Sequence, residues 1–226
     1  MRTVTVDDIE RAIKKREDKS RAIELKGLLA TKLEVAGLSR GDLIEILGEL
    51  EPLLPEIEEE FIWLNLLQDL WESPFFESRI LALELMFGVS DLIDAHLWGM
   101  LDHWTNNVDS WATADWLGHV RAISIKKSPS LVTRMAPWLQ TTDVWRRRST
   151  VVSLVYIDPV NLDQKLLLGP HELFAFLEPI LRDEDKNVQV ALVWLFEIIR
   201  ENFPDELRTY LRLHRKNLPP HLISVN

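Results

Sequence analysis

The stretch TTDVWRRRSTVVSLVY, residues 141–156, decides the fold class. Its second half is rich in β-branched side chains and is the nearest approach to a strand in the chain. Its first half argues for a helix. Thr142 or Asp143 supplies a side-chain oxygen that can accept from first-turn N–H groups. Trp145, Arg148 and Val151 then recur every third residue, the spacing of one helical face. The stretch therefore reads as a helix over 143–157. Its opening, Trp145-x-x-Arg148-x-x-Val151, has an earlier counterpart in Phe76-x-x-Arg79-x-x-Ala82. Trp111 opens a helix between the two, and Asn187 opens a fourth. Helix starts recurring at roughly 35–40 residues are the signature of stacked helical pairs.

Helical periodicity extends outward from this stretch in both directions. Helices are expected over 6–18 and 21–36, then from a Ser39 cap to about Leu50, and after the breakers Pro52 and Pro55 up to Trp71. Further ones fit 75–87, 91–104, 111–125, 130–140, 171–182, 186–202 and 205–215, separated by turn-forming groups such as TNNVDS (105–110) and KKSPS (126–130). The expected fold is all-α: a HEAT-like helical repeat solenoid, an α-α superhelix formed by residues 1–226 as one domain. Stacked pairs curve, and their concave face is where such proteins bind partners. An irregular helical bundle is the rival architecture.

Composition narrows the chemistry. The chain has no cysteine, which removes disulfides, thiolate metal sites and cysteine nucleophiles together. Its six histidines are scattered without a close ligand pair, and there is no GxSxG, P-loop or GxGxxG, so neither a metal nor a cofactor is expected. The N-terminus lacks a signal-peptide core and no apolar run reaches membrane-spanning length, so a cytoplasmic protein without membrane contact is expected. Net charge is −10, but residues 1–120 carry −13 and residues 121–226 carry +3. The first half would repel a polyanion, and the second could meet one locally. Asp91, Asp94 and Glu58 to Glu60 read as cap and surface charges. Nine tryptophans stand out; most should be core, yet indole is also a preferred partner for cations.

Three segments could carry chemistry. In DSWATADWLG (109–118), Asp109 or Ser110 caps a helix whose Trp111 and Asp115, four residues apart, share a face. An indole beside a carboxylate stabilises a cation, but core packing of Trp111 with a solvated Asp115 fits the spacing as well. In the second segment, Arg148 shares the face of Trp145. Its guanidinium suits phosphate, or an ion pair with one of the many acidic residues. In the third, Trp194 sits mid-helix among Val, Leu and Phe, where a core role is the ordinary reading.

Taken in order, LWESPFFESRILALELM (70–86), DHWTNNVDSWATADWL (102–117), VWRRRSTVVSL (144–154) and VQVALVWLFEIIRENFPDEL (188–207) resemble the AlkD-type DNA alkylation repair family, HEAT-like-repeat DNA glycosylases. The resemblance covers residues 60–226; residues 1–55 match only as acidic N-terminal helices. It implies that the family's catalytic-face Trp and Asp fall on Trp111 and Asp115, its phosphate-contacting Arg on Arg148 and its second cleft Trp on Trp194. Val190 replaces a basic residue of the family pattern, and Phe196-Glu197 replaces its Leu-Arg pair.

The resemblance further implies a monomeric hydrolase acting on double-stranded DNA that contains N3- or N7-alkylated purines, associated with the nucleoid when acting. Such a base is already cationic and leaves without protonation. Catalysis then needs stabilisation of positive charge on the deoxyribose and a positioned water. Asp115 would supply both, Trp111 and Trp194 would flank the cationic nucleotide, and no extrahelical base pocket is used. Arg148 and its neighbours Arg146, Arg121, Lys126 and Lys127 would contact the backbone. Two alternatives remain: a non-catalytic module gripping bent or branched DNA, and a protein-binding scaffold suited to the acidic first half.

Overall fold

Side-chain caps open the helices of the computed structural model where the sequence places them. Ser39 forms a reciprocal capping box with Asp42, Ser110 accepts from the Thr113 amide, and Asp143 accepts from the amides of Trp145 and Arg146. The structure describes residues 3–56, 59–88, 97–158 and 160–225. Glu58, Asp91, Asp94 and His96, with the start of the helix expected over 91–104, lie outside the described residues. Glu59 and Glu60 are exposed at the start of a helix, as surface charges should be.

Among the described residues the fold is an all-α helical repeat with one small hairpin, in two compact units, Met1–Ile93 and Asp94–Asn226. The first unit holds α1 (Val6–Lys15), α2 (Lys19–Leu29), α3 (Arg40–Leu50), α4 (Glu60–Glu72) and α5 (Phe76–Gly88). The expected helix over 21–36 stops early: Ala30 turns into the left-handed region at φ 53°. The backbone beyond it is held by longer-range bonds. Glu34 bridges to Phe75, and the buried Glu77 carboxylate accepts from the amides of Ala36, Gly37 and Leu38 at 3.0, 2.8 and 3.3 Å. Gly37 takes φ 81°, and a Cβ there would stand 2.3 Å from the Asp18 carbonyl oxygen, so no other residue fits.

The second unit holds α6 (Trp98–Thr105), α7 (Trp111–Lys127), α8 (Val132–Met135), α9 (Val144–Val152), α10 (Pro170–Leu177), α11 (Lys186–Asn202), α12 (Pro204–His214) and α13 (Pro220–Ile223). The segment 130–140 is not one helix but α8 between two 3-10 turns, because Pro129 and Pro137 each remove an amide donor. α7 packs along α9, and α9 along α11. Their apolar faces meet in a core of residues such as Val151, Val152, Leu192, Leu195 and Ile199. Close approach at Gly118 makes the first contact possible: a Cβ there would lie 2.8 Å from Val152 and 3.0 Å from the Ser149 carbonyl.

The helix expected over 143–157 ends at Val152. Val155–Ile157 is a strand, β1, paired antiparallel with β2, Gln164–Leu166, with Ile157 opposite Gln164. The β-branched and aromatic residues Val155, Tyr156 and Ile157 suit a pleated surface. The Asp158 carboxylate stabilises the turn by accepting from the amides of Val160 and Asn161.

The Glu77 bonds generate a stability prediction. Glu77→Ala would strand three buried amides, each costing about 1–3 kcal/mol when unmet. Urea unfolding of the full chain should show a loss of about 3 kcal/mol or more, against which a loss below about 1 kcal/mol would mean that water replaces the carboxylate.

Candidate functional site

Three consecutive turns of α7 carry Trp111, Asp115 and His119, spaced four apart and therefore aligned on one side of the helix. Asp115 faces α9. Its Oδ1 accepts from Arg148 Nε at 2.7 Å and its Oδ2 from Arg148 Nη2 at 2.7 Å, a bidentate pair. The Arg148 Nη1 donates to the Asn187 carbonyl in the first turn of α11 at 2.6 Å. One guanidinium thus joins three helices, and Arg148 is only 7% exposed.

Asp115, His119 and Arg148 line a cleft of about 260 Å³ with Ile157 and Gln164 of the hairpin and Trp194 of α11. Trp194 is half-buried and meets the edge of the His119 ring, with centroids 6.0 Å apart and planes at 73°. Burial pushes the His119 pKa down to about 4, with the Asp115 charge offsetting part of the effect, so the imidazole is neutral at pH 7. Trp111, one turn from Asp115, is 39% exposed and stands outside this lining. Asp115, Arg148 and Trp194 are therefore brought together, and Trp111 extends their stripe toward solvent.

The other expected DNA contacts fare differently. Arg121 is wholly buried, which removes it from any phosphate-binding surface. Its guanidinium donates to Thr105 Oγ1, Ser149 Oγ and Ser153 Oγ and lies over the rings of Trp138 and Trp98. Burial pulls its pKa down to about 9, opposed by Asp102 and aided by Arg146, which leaves it protonated at neutral pH. Arg146 donates to Asn106 and pairs with Asp102 over the Trp138 ring. Arg148 itself is not a free phosphate clamp, since Asp115 and Asn187 occupy its three nitrogens. Lys126 and Lys127 are exposed. Lys126 sits over the Tyr156 ring at 3.7 Å, on the Asp115 side of α7 and about 16 Å further along the helix axis.

The sequence reading missed His119, Ile157 and Gln164. His119 was signalled by its place four residues beyond Asp115. The hairpin residues were hidden by the helical reading of 143–157. Among the described residues no cluster of three His, Asp or Glu side chains could hold a metal ion, and no helix is long and apolar enough to cross a membrane.

A family model for DNA alkylation repair enzymes matches residues 9–224. The chain belongs to the DNA alkylation repair enzyme family. Its fold is similar to that of a solved structure described as a "Predicted DNA alkylation repair enzyme from Enterococcus faecalis", with a TM-score of 0.73 at 10% identity, covering 93% of this chain and 94% of that one. No curated protein sequence matches the chain. In this family member, the paired carboxylate and its guanidinium partner lie on α7 and α9, two of the helices whose sequences carried the resemblance.

The three-helix clamp predicts a large stability effect. Removing one partner of a buried ion pair typically costs about 3–5 kcal/mol, because the other charge is left uncompensated. Arg148→Ala should approach that cost, since it also frees the Asn187 carbonyl. Asp115→Ala should cost at least as much as Arg148→Ala, because the charge it leaves uncompensated, the Arg148 guanidinium, is the more buried of the two. Chemical denaturation of both variants and the double variant checks the order and the coupling.

Proposed function

We propose that the protein is a DNA glycosylase that excises cationic N3- or N7-alkylated purines from duplex DNA. The observation that carries this reading is the make-up of the cleft. A carboxylate held at both oxygens by a guanidinium faces an indole, and the remaining titratable group is a neutral imidazole. At pH 7 that imidazole has no proton to give a departing base. Such a site suits a leaving group that is already positively charged. Membership of the alkylation repair family supports the same substrate class.

In this reading the Asp115 carboxylate stabilises positive charge as it builds on the deoxyribose, and Arg148 fixes its orientation. Trp194 presents an aromatic wall to the cationic nucleotide, and Trp111 presents a second surface one turn away. Arg148 acts on Asp115, and the backbone contacts fall to exposed cations. Lys126 and Lys127 are the two that the reading retains from the expected set.

Incubation of the purified protein with duplex containing 7-methylguanine should release free base. Asp115→Asn should lower the single-turnover rate about 10²–10³-fold, the effect of losing one charge aimed at the transition state. It should also lower the melting temperature, because Arg148 loses its counter-charge, so rates are compared well below that transition. Near-wild-type excision by the folded variant would remove Asp115 from the chemistry.

Backbone binding has its own test. Each neutralised phosphate contributes about 0.9 to the slope of log K against log salt. Replacing Lys126 and Lys127 together by Ala should make that slope shallower by about two and weaken binding to undamaged duplex. Fluorescence anisotropy across a salt series measures both, and an unchanged slope would place the DNA elsewhere.

A further inference from the structure

The three titratable groups in the cleft are not used equally. Arg148 Nε and Nη2 are spent on Asp115, and Nη1 on the Asn187 carbonyl. Both Asp115 oxygens already accept from Arg148. His119 is different. Its Nδ1 is buried with no hydrogen-bond partner. Among the described residues no bond is made by Nε2 either, which leaves that nitrogen for the cleft. A buried polar atom without a partner is costly and calls for a physical reason, a catalytic role or a bound water among them.

The surroundings fix the state of this ring. The charged groups lining its cavity are Asp115 of α7 and Arg148 of α9; α11 offers Val190, Ala191 and Trp194, and the hairpin offers Ile157 and Gln164. Desolvation outweighs the Asp115 charge, so the ring stays neutral with a lone pair available to accept a proton. A cavity of about 260 Å³ has room for water beside it, a single water taking about 30 Å³ in the liquid.

We propose that His119 receives the attacking water: its Nε2 holds the water against the sugar and takes the proton released as the bond forms. This inference rests on the excision reading above. In the step, the water oxygen bonds to C1′ while the bond from C1′ to the purine nitrogen breaks. The bonding pair leaves with the base and cancels its positive charge. The water proton passes to Nε2, giving an imidazolium beside Asp115, which then releases the proton to solvent. The products are a neutral alkylpurine, an abasic sugar and one proton. A weak base is sufficient, because water attacks an oxocarbenium-like carbon without prior ionisation. Asp115 thus stabilises the sugar cation, and His119 handles the nucleophile.

The competing role is packing, in which His119 only props the Trp194 indole through their edge contact. Phenylalanine keeps the ring and loses both nitrogens, whereas glutamine keeps a donor and an acceptor and loses the ring. Single-turnover release of 7-methylguanine is measured for wild type, His119→Phe and His119→Gln, with the Kd for the same duplex and the melting temperature of each. The expected result is excision by the wild type, a loss of at least tenfold in the Phe variant with Kd unchanged and melting temperature equal or higher, and only partial recovery in the Gln variant, whose amide oxygen can hold the water but cannot take its proton. Wild-type rates in the Phe variant, or a Gln variant that is no faster than Phe or matches the wild type, would overturn the role of His119 and leave the excision reading standing. No release by the wild type itself would overturn both.

Discussion

The Arg148 guanidinium is the constraint on which the second unit depends. It takes both oxygens of Asp115 on α7 and the Asn187 carbonyl on α11, while its own helix, α9, lies between them. Desolvating a charge this far costs several kcal/mol unless the partners are well aligned, and a planar fork meeting a carboxylate bidentately is the alignment that repays it. The pair also forces proximity. α7 reaches α9 because residue 118 is glycine, and a methyl group there would meet Val152 and the Ser149 carbonyl. Site geometry and helix packing are therefore one feature, and a substitution aimed at the chemistry also loads the fold.

Arg121 shows the other way this protein buries a cation. Among the described residues no carboxylate is bonded to it. Three hydroxyls, from Thr105, Ser149 and Ser153, accept from the guanidinium, and the Trp98 and Trp138 rings, stacked 5.8 Å apart, lie near it. Hydroxyl dipoles and ring faces replace water without supplying a full countercharge, and the lowered pKa records how incomplete that replacement is. The +3 balance of residues 121–226 thus overstates the positive surface. One of those cations is core, and Arg146, Arg147 and Arg148 are paired with Asp102, Asp183 and Asp115. A charge count locates where a polyanion could bind only after such internal pairs are removed.

Much of this architecture is legible in the sequence, for local reasons. Ser39, Ser110 and Asp143 stand immediately before apolar-periodic runs, and a cap is a contact within three residues. The four separated Trp111, Asp115, Arg148 and Trp194 become a group only through family resemblance, because nothing in their spacing shows that α7, α9 and α11 adjoin. What escaped depends on distant partners. The course of the chain beyond α2 is held by Glu77, some forty positions from the Ala36, Gly37 and Leu38 amides it accepts from, and by the bridge from Glu34 to Phe75. The strand at Val155–Ile157 is set by pairing with Gln164–Leu166. A continuous apolar run such as VVSLVY reads equally as buried helix or buried strand, and the choice falls to a hairpin that periodicity cannot see. His119 was one helical turn from a named residue, yet a lone histidine carries no pattern until its neighbours show that its nitrogens are unpaired.

The pairing of Asp115 also shapes what its charge can do. An isolated carboxylate acts on a cation at long range, but a carboxylate bound at both oxygens to a guanidinium behaves toward distant charges as a dipole, whose influence falls more steeply with distance. In the proposed reaction, stabilisation of the sugar cation would then be confined to a centre brought close to the carboxylate on the side away from Arg148. In an open cleft, solvent would screen even that effect. Covering of the cleft by a duplex, as the proposed function requires, would lower the local dielectric and restore it. On the proposed function, selectivity would follow from these two conditions together. A normal base, neutral and poorly disposed to leave, gains little from a short-range dipole. A base already cationic would need only that the charge, once moved to the sugar, arrive beside Asp115 while water stands in reach of His119.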